Sequence, residues 1–240
     1  FEYLTSVIHS ENIIFFPDST QLLSDAIAIN EVYEGIEFPQ TSNTKTYCNY
    51  EPYVDKLEVF QTHDMFNLYD GKASLQGNLL LKPVGLTGNG IMKLDLAEVS
   101  SKFFSFNSTW FKADTANLNV FDNSNNLAFS AKNLRANIDV KDRDGMFFSN
   151  GIGSYVNFPA SEYICYIDQL KWEMDKEQLT FGNNDPKSKS RSEFISINNE
   201  QDSLSFYSKS ADYSLRDFII NAKGVDSLIV ADAIIFPDSG

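Results

Sequence analysis

The sequence predicts an all-β fold, a β-solenoid or jelly-roll-like array of short strands with little helix. Three observations carry that expectation. Apolar and polar residues alternate with period two, strand-like stretches recur at a spacing of about 8–12 residues, and clusters of Asn, Asp, Gly and Ser separate them.

Along the chain, residues 21–33 (QLLSDAIAINEVY) have an apolar spacing compatible with a helix, but Ile27, Ile29 and Val32 fit a strand as well. From residue 73 the alternation is clean. Ala73, Leu75, Gly77, Leu79 and Leu81 share one face, and Ser74, Gln76, Asn78 and Leu80 the other. A turn follows at residues 82–85 (KPVG), then a strand over 90–96. Further strands are expected at 102–106, 110–112, 116–121, 127–131, 136–140 and 146–149. Asp142-Arg143-Asp144-Gly145 reads as a hairpin turn, because Asp-Gly tolerates positive φ. Residues 169–178 (QLKWEMDKEQ) are rich in helix formers. Leu170, Trp172 and Met174 nevertheless alternate with charged residues, which favours a strand. The polar run 182–192 (GNNDPKSKSRS) marks a loop or an internal boundary. Strand patterns resume around Phe206, Tyr213, Phe218 and Ile229.

This reading divides the chain into residues 1–45, the end of a preceding β repeat and its connection; 46–182, the main β domain; 183–193, the polar loop; and 194–240, strands leading into a next repeat. The repeat expectation rests on an echo between ENIIFFPDST at 11–20 and ADAIIFPDSG at 231–240. Phe-Pro also closes apolar stretches at Phe38-Pro39 and Phe158-Pro159. Proline cannot donate to a ladder, so a strand ends naturally at such a pair.

Composition narrows the function. An apolar share of 42% with 14% aromatic residues, 20 of them Phe, supplies a real core. The net charge of −14 repels nucleic acid and anionic lipid headgroups. No apolar run reaches the ~20 residues of a membrane helix. The chain opens at Phe1 in strand-like sequence and closes on a turn at Gly240, which reads as a segment of a longer protein. Cys48 and Cys165 match no metal or redox spacing. A disulfide between them would close a long loop worth ~4–5 kcal/mol, but two buried free thiols are the favoured reading.

The motifs Gly85-Leu86-Thr87-Gly88-Asn89-Gly90, Ala113-Asp114-Thr115-Ala116, Phe158-Pro159 with Tyr163-Ile164-Cys165 and Trp172, Ser192-Glu193-Phe194-Ile195-Ser196, and Val230-Ala231-Asp232-Ala233 with Phe236-Pro237-Asp238 together resemble an internal segment of the very large, mostly uncharacterised secreted or envelope proteins of Bacteroidota. The resemblance covers most of 46–240. It implies export to the periplasm, outer membrane or cell surface and brings no catalytic residues with it. The rhythm from Ala211 to Val225 is similar to the open β-jelly-roll bridges that carry lipopolysaccharide.

Catalytic chemistry finds little footing. His9 and His63 lack partners at ligand spacing. Gly85, Gly88 and Gly90 sit between two β patterns, so they read as turn and bulge glycines. Glu173 and Asp175 beside Trp172 make the most sugar-like acid cluster but fit a solvated strand face. Asp139, Asp142 and Asp144 loosely resemble a calcium loop whose distal acid is missing. The expectation is therefore no enzyme, no cofactor and no metal.

Two roles remain. The first is a structural or interaction segment whose partners are neighbouring repeats or other envelope proteins, joined through strand addition at exposed edges. The second is a binding module. Phe103, Phe104, Phe106 and Phe111 would line a lipid groove, or exposed Trp110, Trp172 or Tyr residues beside amides and acids would face a glycan. Asp-Ser/Thr-apolar tripeptides at Ser19, Thr115, Ser203 and Ser227 resemble the acceptors that Bacteroidota use for O-glycosylation of exported proteins.

Overall fold

The computed structural model describes residues 2–3, 6–15, 19–29, 32–182 and 192–238, with the backbone alone for 2–3, 6–15 and residue 25. The fold is all-β: strands make up 64%, and among the described residues no helix reaches seven residues. Among the described residues the strands pair antiparallel. The chain forms two compact units, Phe1–Asp114 with Asp139–Asp142 and Thr115–Ile138 with Arg143–Gly240.

The first unit opens with β1 (Glu2–Tyr3), β2 (Ser6–Phe15) and β3 (Thr20–Ile29). The short strands β4 (Val32–Tyr33), β5 (Ile36–Glu37) and β6 (Thr41–Asn43) follow. Next come β7 (Thr46–Glu51), β8 (Lys56–Gln61), β9 (Phe66–Leu68), β10 (Ala73–Lys82), β11 (Gly85–Leu94) and β12 (Ala97–Phe106). Thus 21–29 is strand, and its helix-compatible spacing is overruled by ladder pairing on both edges. The sheet runs β1-β2-β3, then divides. β7 and β8 bridge β3 to β10 at one end, β6 and β9 at the other, and β11 and β12 continue beyond.

Register decides which side chains are buried. Leu22, Cys48, Val59 and Leu79 stand opposite one another across four strands and all point inward. The neighbouring row, Leu23, Tyr47, Phe60 and Asn78, therefore points outward. Phe104, Phe106 and Phe111 fill the interior, with ring centroids 5.8–6.3 Å apart.

The glycines serve the ladder as the sequence suggests. Gly77 opposes Gly90, and the register shifts between Gly88 and Gly90, a β-bulge. A Cβ at Gly77 would stand 1.9 Å from the Asn89 carbonyl oxygen, and one at Gly90 2.1 Å from that of Gln76. Gly90 also holds φ at 127°.

The second unit takes in parts of β13 (Trp110–Phe121) and β14 (Leu127–Asp139). Each merges two stretches that the sequence predicts as separate strands. Asn133 sits inside β14 with φ at 56°, its amide donating to Asn117 Oδ1 at 3.1 Å, so a local turn signal is absorbed as an irregularity. There follow β15 (Asp144–Ser149), β16 (Tyr155–Phe158), β17 (Tyr163–Tyr166), β18 (Gln169–Glu173) and β19 (Gln178–Gly182). The unit ends with β20 (Ser192–Ser196), β21 (Ser205–Ser208), β22 (Ser210–Ser214), β23 (Ile220–Lys223), β24 (Leu228–Val230) and β25 (Ala233–Ile235). Residues 169–173 are strand, and a 3-10 turn at Met174–Lys176 accommodates the helix formers. The polar run falls largely on 183–191, outside the described residues.

Pairing here follows a rule. One run of strands is β14-β16-β17-β20-β21-β24-β25, and a second is β15-β18-β19-β22-β23. After β15 the chain lays down two strands in one run, then two in the other. Phe158 and Phe194 of the first run meet Phe181 and Tyr213 of the second, with centroids 4.7–6.2 Å apart. Burial of each such ring is worth ~2–3 kcal/mol, and these contacts clamp the runs face to face. β16 ends at Phe158 and β25 one residue before Phe236, both ahead of a proline as the sequence predicts.

Cys48 and Cys165 are both free and buried, the favoured sequence reading. Burial pushes the Cys48 thiol up to about 11 and Cys165 well above its usual value. It also pushes the Tyr213 phenol up to about 12.

Two predictions follow from these packing facts. Gly77→Ala and Gly90→Ala should each cost roughly 2–4 kcal/mol in urea unfolding, because backbone atoms have to move. Each raised thiol or phenol keeps its proton longer when folded, so the unfolded chain binds fewer protons above its ordinary pKa. Stability is therefore intact below about pH 8.5 and falls as pH climbs through the folded values, with Cys48 contributing a loss of roughly 2 kcal/mol by about pH 11. Urea titrations across that range measure the slope, and a flat profile contradicts it.

Candidate functional site

The structure separates the residues singled out as ligand-facing. Phe104, Phe106 and Phe111 are buried, and their rings pack on one another rather than on a shared open face. Phe103, one residue out of phase on β12, is 51% exposed. Trp172 is buried in β18, and among the described residues its Nε1 has no hydrogen-bond partner. Trp110 is half-buried, with Lys112 Nζ 4.3 Å from its ring centre. That cation occupies one ring face where a sugar would stack.

Of the acidic clusters, Glu173 is held by Lys176 at 2.8 Å and Lys171 at 3.2 Å. The hydrogen bond from Lys176, and then that from Lys171, keeps its carboxyl below the usual range, so it stays ionised. Asp175 pairs with Arg143 at 2.5 Å. Asp139 Oδ1 accepts from the amides of Lys141 and Asp142, both at 2.8 Å, which makes this stretch a capped turn. Positive φ falls on Arg143, one residue earlier than Asp144-Gly145 suggests. His63 is exposed, and the His9 side chain lies outside the described residues. Among the described residues, no group of three His, Cys, Asp or Glu side chains has a geometry that could hold a metal. Of the glycosylation candidates, Thr115 and Ser203 are exposed, while Ser19 and Ser227 are half-buried.

Two surface features stand out instead. The first is the end of the strand run in the second unit. β25 pairs with β24 through Val230↔Ala233, Ile229↔Ile234 and Leu228↔Ile235. Among the described residues, its other edge carries no pairing. Ile234 is 59% and Phe236 73% exposed, with Ile219, Ile229 and Ile235 also open. From Leu228 to Phe236 the only charge is Asp232. Edge strands are usually guarded by charge, as β23 is by Lys223, and β25 is not.

The second lies on the outer face of the first unit. The outward row Leu23, Tyr47, Phe60 runs beside a polar row Gln21, Asn49, Glu58. Tyr47 and Phe60 are 5.7 Å apart and tilted by 39°. The β7–β8 turn raises Tyr53, 84% exposed, and Val54 beside them. Ser19, Gln21, Tyr47, Asn49, Glu51, Tyr53, Val54 and Phe60 line a depression of about 550 Å³. Sequence reasoning allowed for Tyr beside amides and acids but singled out by position only Trp110 and Trp172. The register that joins residues 21, 47 and 60 is also not local.

If the Phe-rich strands are core and not groove, Phe104→Ala should cost roughly 3–5 kcal/mol, while Phe103→Ala should stay within about 0.5 kcal/mol. Thermal or urea unfolding of the two variants separates the cases. Scans and searches across protein-family models, curated proteins and solved structures find no significant match to this chain.

Proposed function

We propose that the chain is a non-enzymatic structural and interaction segment of a larger exported envelope or surface protein, arranged as a jelly-roll-like array and joined to its neighbours by strand addition. The observation that carries this reading is the strand bookkeeping of the second unit. Hairpins alternate between two facing runs, and the run ending in β25 stops at an apolar, uncharged edge. A pattern of that kind can continue by adding a further strand, since the same alternation and the same Phe-lined interior would serve the next hairpin. The echo fits: Ile13–Phe15 at the end of β2 aligns with β25, and in β2 those residues pair with Thr20–Leu22 of β3. The Phe16–Asp18 and Ser239 positions of the echo lie outside the described residues. The acidic surface keeps such a segment soluble while leaving edges as the adhesive element. Partners in this reading are neighbouring repeats or other envelope proteins.

The test is sedimentation velocity from ~10 to ~500 µM. The chain should associate with rising concentration, and Ile234→Lys combined with Phe236→Asp should hold it monomeric. Those side chains are exposed, so the double variant should keep its unfolding midpoint. A wild-type chain that remains monomeric throughout removes the edge from the proposal.

A further inference from the structure

We propose that the outer face of the β3-β7-β8 sheet is a binding site for an uncharged oligosaccharide, with Tyr47, Phe60 and Tyr53 as stacking surfaces and Gln21, Asn49 and Ser19 as hydroxyl-recognising groups. This site is independent of the β25 edge, since it lies wholly within the first unit.

The chemistry follows from the ladder register. Leu23, Tyr47 and Phe60 stand directly opposite one another on three strands, so the apolar strip runs across the sheet and not along a strand. Parallel to it, Gln21 and Asn49 form a directly opposed amide pair, followed by Glu58. A ligand lying across the strands therefore meets apolar rings on one flank and planar amide forks on the other. Sugar rings present that two-sided character, with C–H faces for aromatic contact and equatorial hydroxyls that both donate and accept. The tilt of 39° between Tyr47 and Phe60 suits successive sugar rings that twist relative to each other better than it suits one flat ligand. Tyr53 stands on a turn above the same depression, placed as a third platform.

Electrostatics select against charged ligands. Lys56 holds Glu51 at 2.7 Å and Glu58 at 3.3 Å, so the two carboxylates at the site share one ammonium. The local balance is one negative charge, on a chain whose net charge is −14. An anionic ligand is repelled. A cationic one would meet carboxylates already engaged. A neutral, hydroxyl-rich ligand loses nothing, since amide and hydroxyl groups exchange water for sugar hydroxyls at little net cost. The depression of about 550 Å³ is open and shallow, as befits a polymer bound along its length rather than a small molecule swallowed whole.

The experiment is isothermal titration of the full chain with cellohexaose, maltohexaose, chitohexaose and mannohexaose. At least one should bind saturably. Tyr53→Ala and Tyr47→Ala should each weaken that binding about tenfold, and Gln21→Leu should weaken it with the rings intact. Tyr53 lies on an exposed turn, so its variant should keep the wild-type unfolding midpoint. Tyr207→Ala, an exposed tyrosine of the second unit, should leave affinity unchanged. Absence of saturable binding across all four sugars overturns the proposal. So does binding that survives both tyrosine substitutions.

Discussion

The strands of both units obey one constraint: backbone N–H and C=O groups need a neighbour to pair with, while alternate side chains turn into the interior. The row Leu22-Cys48-Val59-Leu79 shows how tightly this binds the rest. A slip of one residue on any of the four strands would bring Leu23, Tyr47, Phe60 or Asn78 into the core and expose its apolar neighbour. The glycines are set by the same constraint. Where β10 and β11 approach at Gly77 and Gly90, only hydrogen fits, because each position faces the backbone of the other strand. Phe106 and Leu79 then close over Gly88, within 3.1 and 3.2 Å of where its Cβ would stand.

Interior aromatics convert paired strands into a layered unit. In the second unit Phe158 touches Phe129, Phe181, Phe194 and Tyr213, so a single ring at the end of β16 joins both runs. Phe194 and Phe206 continue the stack toward β24 at 5.1 Å. The surface adds little by comparison. The ion pairs are largely exposed, as with Arg216–Glu177, and such pairs are worth ~0–1 kcal/mol each. Stability in this protein comes from packed rings and complete ladders, and a ladder that stops must leave an edge.

That explains why the two surface features matter. The β25 edge and the Tyr47–Phe60 strip are the products of the same rule that builds the core. One is the place where, among the described residues, pairing ends. The other is the outward half of an alternation whose inward half is full. Neither shows a cluster of reactive groups, and each offers geometry, a strand edge or a ring platform, as its chemical capacity.

By itself the sequence determined the all-β class, because period-two alternation is a local property that survives without knowledge of partners. It also marked the strand ends at Phe158-Pro159 and Phe236-Pro237, the bulge glycines, the turn near Asp142 and the two buried thiols, each a consequence of residue chemistry over a few positions. Tertiary structure alone decided which Phe is core and which is surface: Phe103 and Phe104 are adjacent and chemically identical, and only the register of β12 against β11 parts them. It likewise merged the strands on either side of Asp114 and Asn133 into strands of 12 and 13 residues, since the tertiary context of a long strand outweighs one turn-forming side chain. The strip of Leu23, Tyr47 and Phe60 was invisible for the same reason. Residues that lie far apart in the chain become neighbours only when the strands between them have chosen their partners.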